Sequence, residues 1–132
     1  MTSENEKSDL HSHHEELVGR LYNQMKLIFE SSEQPMYLDD THKTCNQKLA
    51  SLLGYKTPNE WASVEEFGDL VEEKSMKSLA DAYNDAMTKR VGSTVNVKWL
   101  KKSGDKVDTS VILVPIAYNE HLFALHFVSP KA

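Results

Sequence analysis

Three groups of side chains in this 132-residue chain could do chemistry. Cys45 follows His42 and Lys43, and a thiol beside basic neighbours can be drawn toward the reactive thiolate when it is exposed. Cysteine is also among the most buried residue types, so a packed, inert thiol is the plainer expectation. His126 falls in an apolar run, in register with Leu122 and Ala124, where an imidazole could ligate a metal or hydrogen-bond a small molecule. The ordinary alternative is a partly buried ring satisfied by a backbone carbonyl. His11, His13 and His14 with Glu15 could chelate a divalent cation, but histidines in an N-terminal flank are usually solvated and nothing fixes their geometry, so no metal site is expected. Six histidines and twenty carboxylates occur, yet none falls in a Gly-x-Ser-x-Gly, His-Glu-x-x-His or glycine-rich phosphate-loop context. The expectation is a protein that works by binding, not by catalysis.

Composition narrows the class. The length suits one domain with a short extension, and 39% hydrophobic with 27% charged residues is ordinary for a globular chain. A net charge of −5 speaks against a nucleic-acid module, since phosphates would be repelled. Lys98, Lys101, Lys102 and Lys106 form the one dense basic cluster and read as a solvated hairpin end. With one cysteine there is no internal disulfide and no Cys-based zinc site, and a reducing cytoplasm is the expected setting. The polar Met1 to Asp9 segment has no signal-like apolar region, and no run approaches the ~20 apolar residues of a membrane span.

Several elements must position these side chains. Ser12-His13-His14-Glu15 reads as a capping box, followed at helical spacing by Leu17, Val18, Leu21, Met25, Ile28 and Phe29. Met36-Tyr37-Leu38 and Lys43 to Cys45 are short strand candidates. Asn46 is a good N-cap for a helix whose apolar face is Leu49, Leu52 and Leu53 and whose stop is Gly54. Thr57-Pro58-Asn59-Glu60 and Ser63-Val64-Glu65-Glu66 announce two more short helices. A longer helix is predicted from about Lys74 to Arg90, with Met76, Leu79, Tyr83 and Met87 on one face and Gly92 as terminator. The period then switches to two: Val95 to Trp99, Val107 to Ile116 and Leu122 to Val128 are strands, with hairpin connections at Lys101 to Asp105 and Ala117 to Glu120. The last two strands are apolar on both faces, so helices must cover one side and the N-terminal helix or a second subunit the other.

Asn46 to Tyr55 looks like the "N…a…llGY" segment of the PAS family, Trp61 to Val71 like its "e…f.dlv" segment, and Trp99 to Gly104 like its "rl.kkdG" hairpin, followed by a strand ending at Val114-Pro115. In that order the chain resembles a PAS domain from roughly Phe29 to Val128. The resemblance implies an α+β fold: a five-stranded antiparallel sheet with short central helices, one longer helix and an N-terminal amphipathic helix. The implied division is a polar tail at 1–12, a dimerisation helix at 13–30 and the PAS domain at 31–130. One departure is visible: the family's first turn reads Asp-x-x-Gly, whereas here Asp39 and Asp40 are followed by His42 and Asn46 arrives early, which shortens the first hairpin.

The resemblance also implies a signal-sensing or protein-interaction module, some members of which hold haem, flavin or small metabolites between the sheet and the long helix. The flavin photoreceptor branch places a cysteine directly after an asparagine in a helix; here Cys45 precedes Asn46 at the end of a strand. Haem-binding members use a histidine on the long helix, and residues 74–90 contain none. Both cofactors are therefore disfavoured and the ligand is left open. Tyr83, Tyr37 and Trp99 could line a pocket and offer polar tips to a ligand, and the expected pocket is Leu38, Phe67, Leu79, Tyr83, Val97 and Trp99, with a filled core as the alternative. The expected homodimer seam is Leu17, Leu21, Met25 and Ile28. The chain leaves no room for an output domain, so it is expected to act in trans on a partner such as a histidine kinase or regulator, or to be a fragment of a longer protein. The rival readings are a receptor for an apolar or aromatic metabolite and, last, a redox switch at Cys45.

Overall fold

A computed structural model describes residues 4–40 and 42–131, with side chains from Glu16 onward. In chain order the elements are α1 (Glu4–Ser31), β1 (Met36–Asp39), β2 (Lys43–Cys45), α2 (Gln47–Leu52), α3 (Pro58–Ala62), a single 3₁₀ turn (Phe67–Asp69), α4 (Glu73–Lys89), β3 (Ser93–Leu100), β4 (Lys106–Tyr118) and β5 (His121–Pro130). The five strands form one antiparallel sheet in the order β2-β1-β5-β4-β3, so the first hairpin and the last three strands meet where β1 pairs with β5.

Both faces of that sheet are buried, as the two-sided apolar strands require. On the inner face Tyr37, Val97, Trp99, Val111, Leu113 and Val128 pack beneath α2 to α4. On the outer face Met36, Leu38, Phe123 and Leu125 pack against Leu17, Val18, Leu21 and Phe29 of α1. The N-terminal helix of the same chain is thus the outer cover over β1 and β5. Beyond its reach the outward residues of β3 turn polar, with Thr94 and Asn96 exposed, and Ile112 on β4 is the one large apolar side chain of the sheet left largely in water.

Local signals explain most boundaries. Asn46 caps α2 by accepting from Leu49 N, and Gly54 ends it at φ +83°. Thr57 caps α3 with Pro58 at its first position. Four expectations shift. The Ser12 to Glu15 box lies inside α1, because the helix formers between Glu4 and Leu10 include no glycine or proline to stop it. Ser63 begins no helix: it closes α3, its hydroxyl donating to Asn59 O at 2.7 Å. The left-handed residue ending α4 is Arg90 at φ 58°, not Gly92. The β4–β5 connection contracts to Asn119-Glu120, both at positive φ, a two-residue turn whose twist suits the long hairpin.

Three further links hold the helical layer to the sheet. Lys43 Nζ on edge strand β2 donates to the carbonyls of Ala62 and Val64 at the end of α3, at 3.1 and 2.6 Å. Lys102 N, in the β3–β4 hairpin, donates to Leu53 O at 2.9 Å. Buried Asp40 pairs with His121, joining the turn after β1 to the start of β5.

Candidate functional site

Strand alternation turns Tyr37 inward, since its neighbours Met36 and Leu38 face α1. The β1–β5 register sets His126 opposite Tyr37, and the two rings stack with centroids 3.7 Å apart and planes 10° from parallel. Facing them is one stripe of α4, where Met76, Leu79, Ala80, Tyr83 and Asn84 recur at the three- and four-residue spacing of a helix face. Phe67 of the 3₁₀ turn and Asp39 complete the lining of a pocket of about 210 Å³.

The polar atoms on this wall are unusual. Tyr37 and His126 are almost wholly buried, yet Tyr37 Oη and His126 Nδ1 have no hydrogen-bond partner of ordinary geometry among the described residues. Buried polar groups in folded proteins are nearly always paired, so each orphan asks for an explanation. Trp61 Nε1, on a ring 5.3 Å from that of Tyr37, is a third. Trp99 differs: its Nε1 donates to Thr109 Oγ1 at 3.0 Å, and that hydroxyl donates on to Val97 O at 2.8 Å.

Burial sets the protonation states. It pushes His126 down to about 3, with nearby backbone groups of Tyr37 and Ala124 opposing it only in part, so the ring is neutral at physiological pH. The Tyr37 hydroxyl is pushed well above its ordinary value by burial, then by the charge of Asp39. Tyr83 moves the same way, by burial and then the Asp39 and Asp40 carboxylates. No lysine or arginine lines the pocket, and Asp39 is its one carboxylate. The site therefore offers neutral hydrogen-bonding groups, one carboxylate and an apolar wall.

Of the six expected pocket residues, Phe67, Leu79 and Tyr83 line it. Val97 and Trp99 are packed in the inner core and do not reach it. Leu38 lies on the opposite face of the sheet beneath α1, because a one-residue difference along a strand reverses the side. Tyr37, Met76, Ala80, Asn84 and His126 join in their place. The helical spacing that marked Met76 and Tyr83 could have found the α4 members, whereas Tyr37 sits in an apolar triplet with no polar neighbour to mark which face is inward.

The remaining candidates lie elsewhere. Cys45 is fully buried, and burial pushes its thiol up to about 12 against the backbone of Ala50 and the charge of Lys43, so the thiolate is not populated. The side chains of His11, His13 and His14 fall outside those described, and no cluster of three metal-ligating side chains occurs among the described residues. Of the expected seam, Leu17 and Leu21 are covered by the chain's own sheet, Met25 is half-buried and Ile28 is exposed. A wider groove of about 1180 Å³ runs between α1, β2 and α3, past Tyr22, Lys26, Glu30, Gln47 and Asn59. No buried, unpartnered polar atom belongs to its lining. No described helix is long and apolar enough to cross a membrane.

No protein-family model and no curated protein matches the sequence. Solved structures match the backbone. A LOV protein of Rhodobacter sphaeroides superimposes with a TM-score of 0.70 at 14% identity, over 86% of this chain and 68% of that one. A PAS domain of a protein from Colwellia psychrerythraea gives 0.66 at 16% identity, over 84% and 97%. A PAS domain from a two-component sensor histidine kinase gives 0.63 at 15% identity, over 85% and 96%. Identities this low concern the course of the chain and not its side chains. With its sheet order, the helices on the inner face and these superpositions, the chain folds as a PAS domain.

Proposed function

We propose that this protein is a non-catalytic, signal-sensing PAS module that responds to a small molecule held between the sheet and α4. The observation carrying this reading is that Tyr37 and His126, two residues lining the pocket, each hold a buried, unpartnered polar atom, Oη and Nδ1. A core meant only to be filled would place phenylalanine or leucine there at no cost in unsatisfied polarity; a receptor needs a few placed polar groups on an apolar wall. The output is a change in the packing of α1, read by a partner protein in trans such as a histidine kinase or regulator, in keeping with the sensor kinase whose PAS domain has the same fold.

Self-association is a second component, supported by Leu27 and Ile28, which stand 83% and 59% exposed side by side on α1. Among the described residues these two, and not Leu17 or Leu21, are the large apolar side chains of the helix exposed to a second copy.

Native mass spectrometry of freshly purified protein, paired with a thermal-shift screen of small metabolites, tests the reading. A bound mass or a stabilising compound is expected in the wild-type chain and not in Ala80→Trp, which places a bulky ring on the exposed rim of the pocket. A chain that carries no extra mass and gains no stability from any compound would overturn it.

A further inference from the structure

We infer that the pocket selects a non-anionic single-ring ligand bearing a hydroxyl or N–H, with its polar group against Tyr37 and His126 and its ring against α4. The inference rests on the sensing pocket proposed above and adds the chemistry of what enters it.

Size comes first. A cavity of about 150 Å³ holds one benzene, so the pocket's about 210 Å³ has room for one ring with a small substituent. Polarity gives the orientation. Tyr37 Oη can donate and accept, and a neutral imidazole nitrogen does one or the other according to its tautomer. Both orphans are on sheet residues, while Met76, Leu79, Ala80 and Phe67 make most of the opposite wall apolar, with Tyr83 and Asn84 as its polar members. A hydroxyl or N–H reaching the sheet would satisfy groups that the fold leaves unpaired. Charge gives the selectivity. A carboxylate would meet no lysine or arginine, would face Asp39, and would have to be desolvated beside an imidazole that does not protonate. An ammonium would meet that same Asp39 carboxylate, so the lining discriminates against anions and not against cations.

The test is calorimetric titration of the wild-type chain with four probes of one ring size: phenol, toluene, benzoate and benzylamine. Phenol should bind about tenfold more tightly than toluene, the worth of one buried hydrogen bond, and benzoate, unlike benzylamine, should not bind measurably. In Tyr37→Phe, which keeps the ring and therefore the fold, the preference for phenol over toluene should shrink to threefold or less. Benzoate binding as tightly as phenol or benzylamine, and lost in Ala80→Trp, would overturn the ligand class while leaving the pocket as a receptor. A phenol preference unchanged in Tyr37→Phe would overturn the assigned contact. Failure of all four probes, together with an empty native mass spectrum, would overturn the inference and the sensing reading alike.

Discussion

Replacing Asn46 with aspartate separates two accounts of what that residue does. If Asn46 only caps α2, aspartate should serve as well, because the two rank together as N-caps. The structure assigns it more. Its Oδ1 accepts from Leu49 N at 3.0 Å and from Met36 N at 3.1 Å, while its Nδ2 donates to Phe29 O at 3.1 Å and Gln34 O at 2.8 Å. Both lone pairs and both amide hydrogens are used in a site 1% exposed, tying the last turn of α1, the entry to β1 and the start of α2 to one side chain. Aspartate keeps the two acceptor contacts, loses both donors and sets a carboxylate oxygen against two carbonyls. At ~1 kcal/mol for each lost bond plus the repulsion of a buried charge, Asn46→Asp should cost about 3–5 kcal/mol. Asn46→Ala, losing all four bonds, should cost about 4 kcal/mol. Urea unfolding followed by circular dichroism reads both, and hydrogen exchange should show amides in the last turn of α1 losing protection first. An aspartate variant within about 0.5 kcal/mol of wild type would refute the clamp and reduce Asn46 to a cap.

Leu21→Asp should unfold the chain and not merely dissociate a dimer, because Leu21 is buried against its own sheet. The loss should reach at least ~3 kcal/mol, given that leucine truncation alone costs about 2–5, whereas Leu27→Asp with Ile28→Asp should leave the melting temperature unchanged and lower the mass seen by light scattering. An unchanged melting temperature for Leu21→Asp would refute the helix docking. His126 gives a pH signature: its folded value of about 3 lies below its ordinary 6.5, so between these the unfolded chain binds the extra proton. Stability held above about pH 6.5 is then lost as pH falls toward 3, by up to ~1.4 kcal/mol per pH unit. His126→Gln should remove that component of the slope in urea midpoints measured at about pH 7 and pH 4.5, and an unchanged slope would refute it.

How much of this was legible in the sequence follows from what each pattern encodes. Caps and stops are local chemistry, so Asn46, Thr57 and Gly54 stood where expected. Helical spacing identified the α4 stripe of Leu79 and Tyr83 because polar residues on its other faces mark the direction. Strands with apolar residues on both faces carry no such mark. Met36, Tyr37 and Leu38 read alike, and including Leu38 in the expected set put that one residue on the wrong side of the sheet. His126 is hidden by the same uniformity, its partner across the sheet being set by a pairing ninety residues distant in sequence. The face of α1 announced that something must cover it without naming the cover; Leu17 and Leu21 meet their own sheet because β1 and β5 present Met36, Leu38, Phe123 and Leu125 to them.

That same uniformity has a mechanical consequence. β1 is a wall with two occupied sides: Tyr37 faces the pocket, while Met36 and Leu38, one residue away on either side, are packed under α1. Successive residues of a pleated strand move together, so a ligand pressing on Tyr37 displaces the seat of α1 by a comparable amount. Both layers are close-packed, and a close-packed layer answers a displacement by shifting a neighbour, not by compressing. The end of α1 is held to β1 through Asn46, whose contacts to Phe29 and Met36 span that boundary. Occupancy of the pocket would therefore be felt first at the C-terminal turns of α1, where Leu27 and Ile28 stand in solvent. A signal generated on the inner face needs no separate relay to reach a partner docked there, since one strand forms both surfaces.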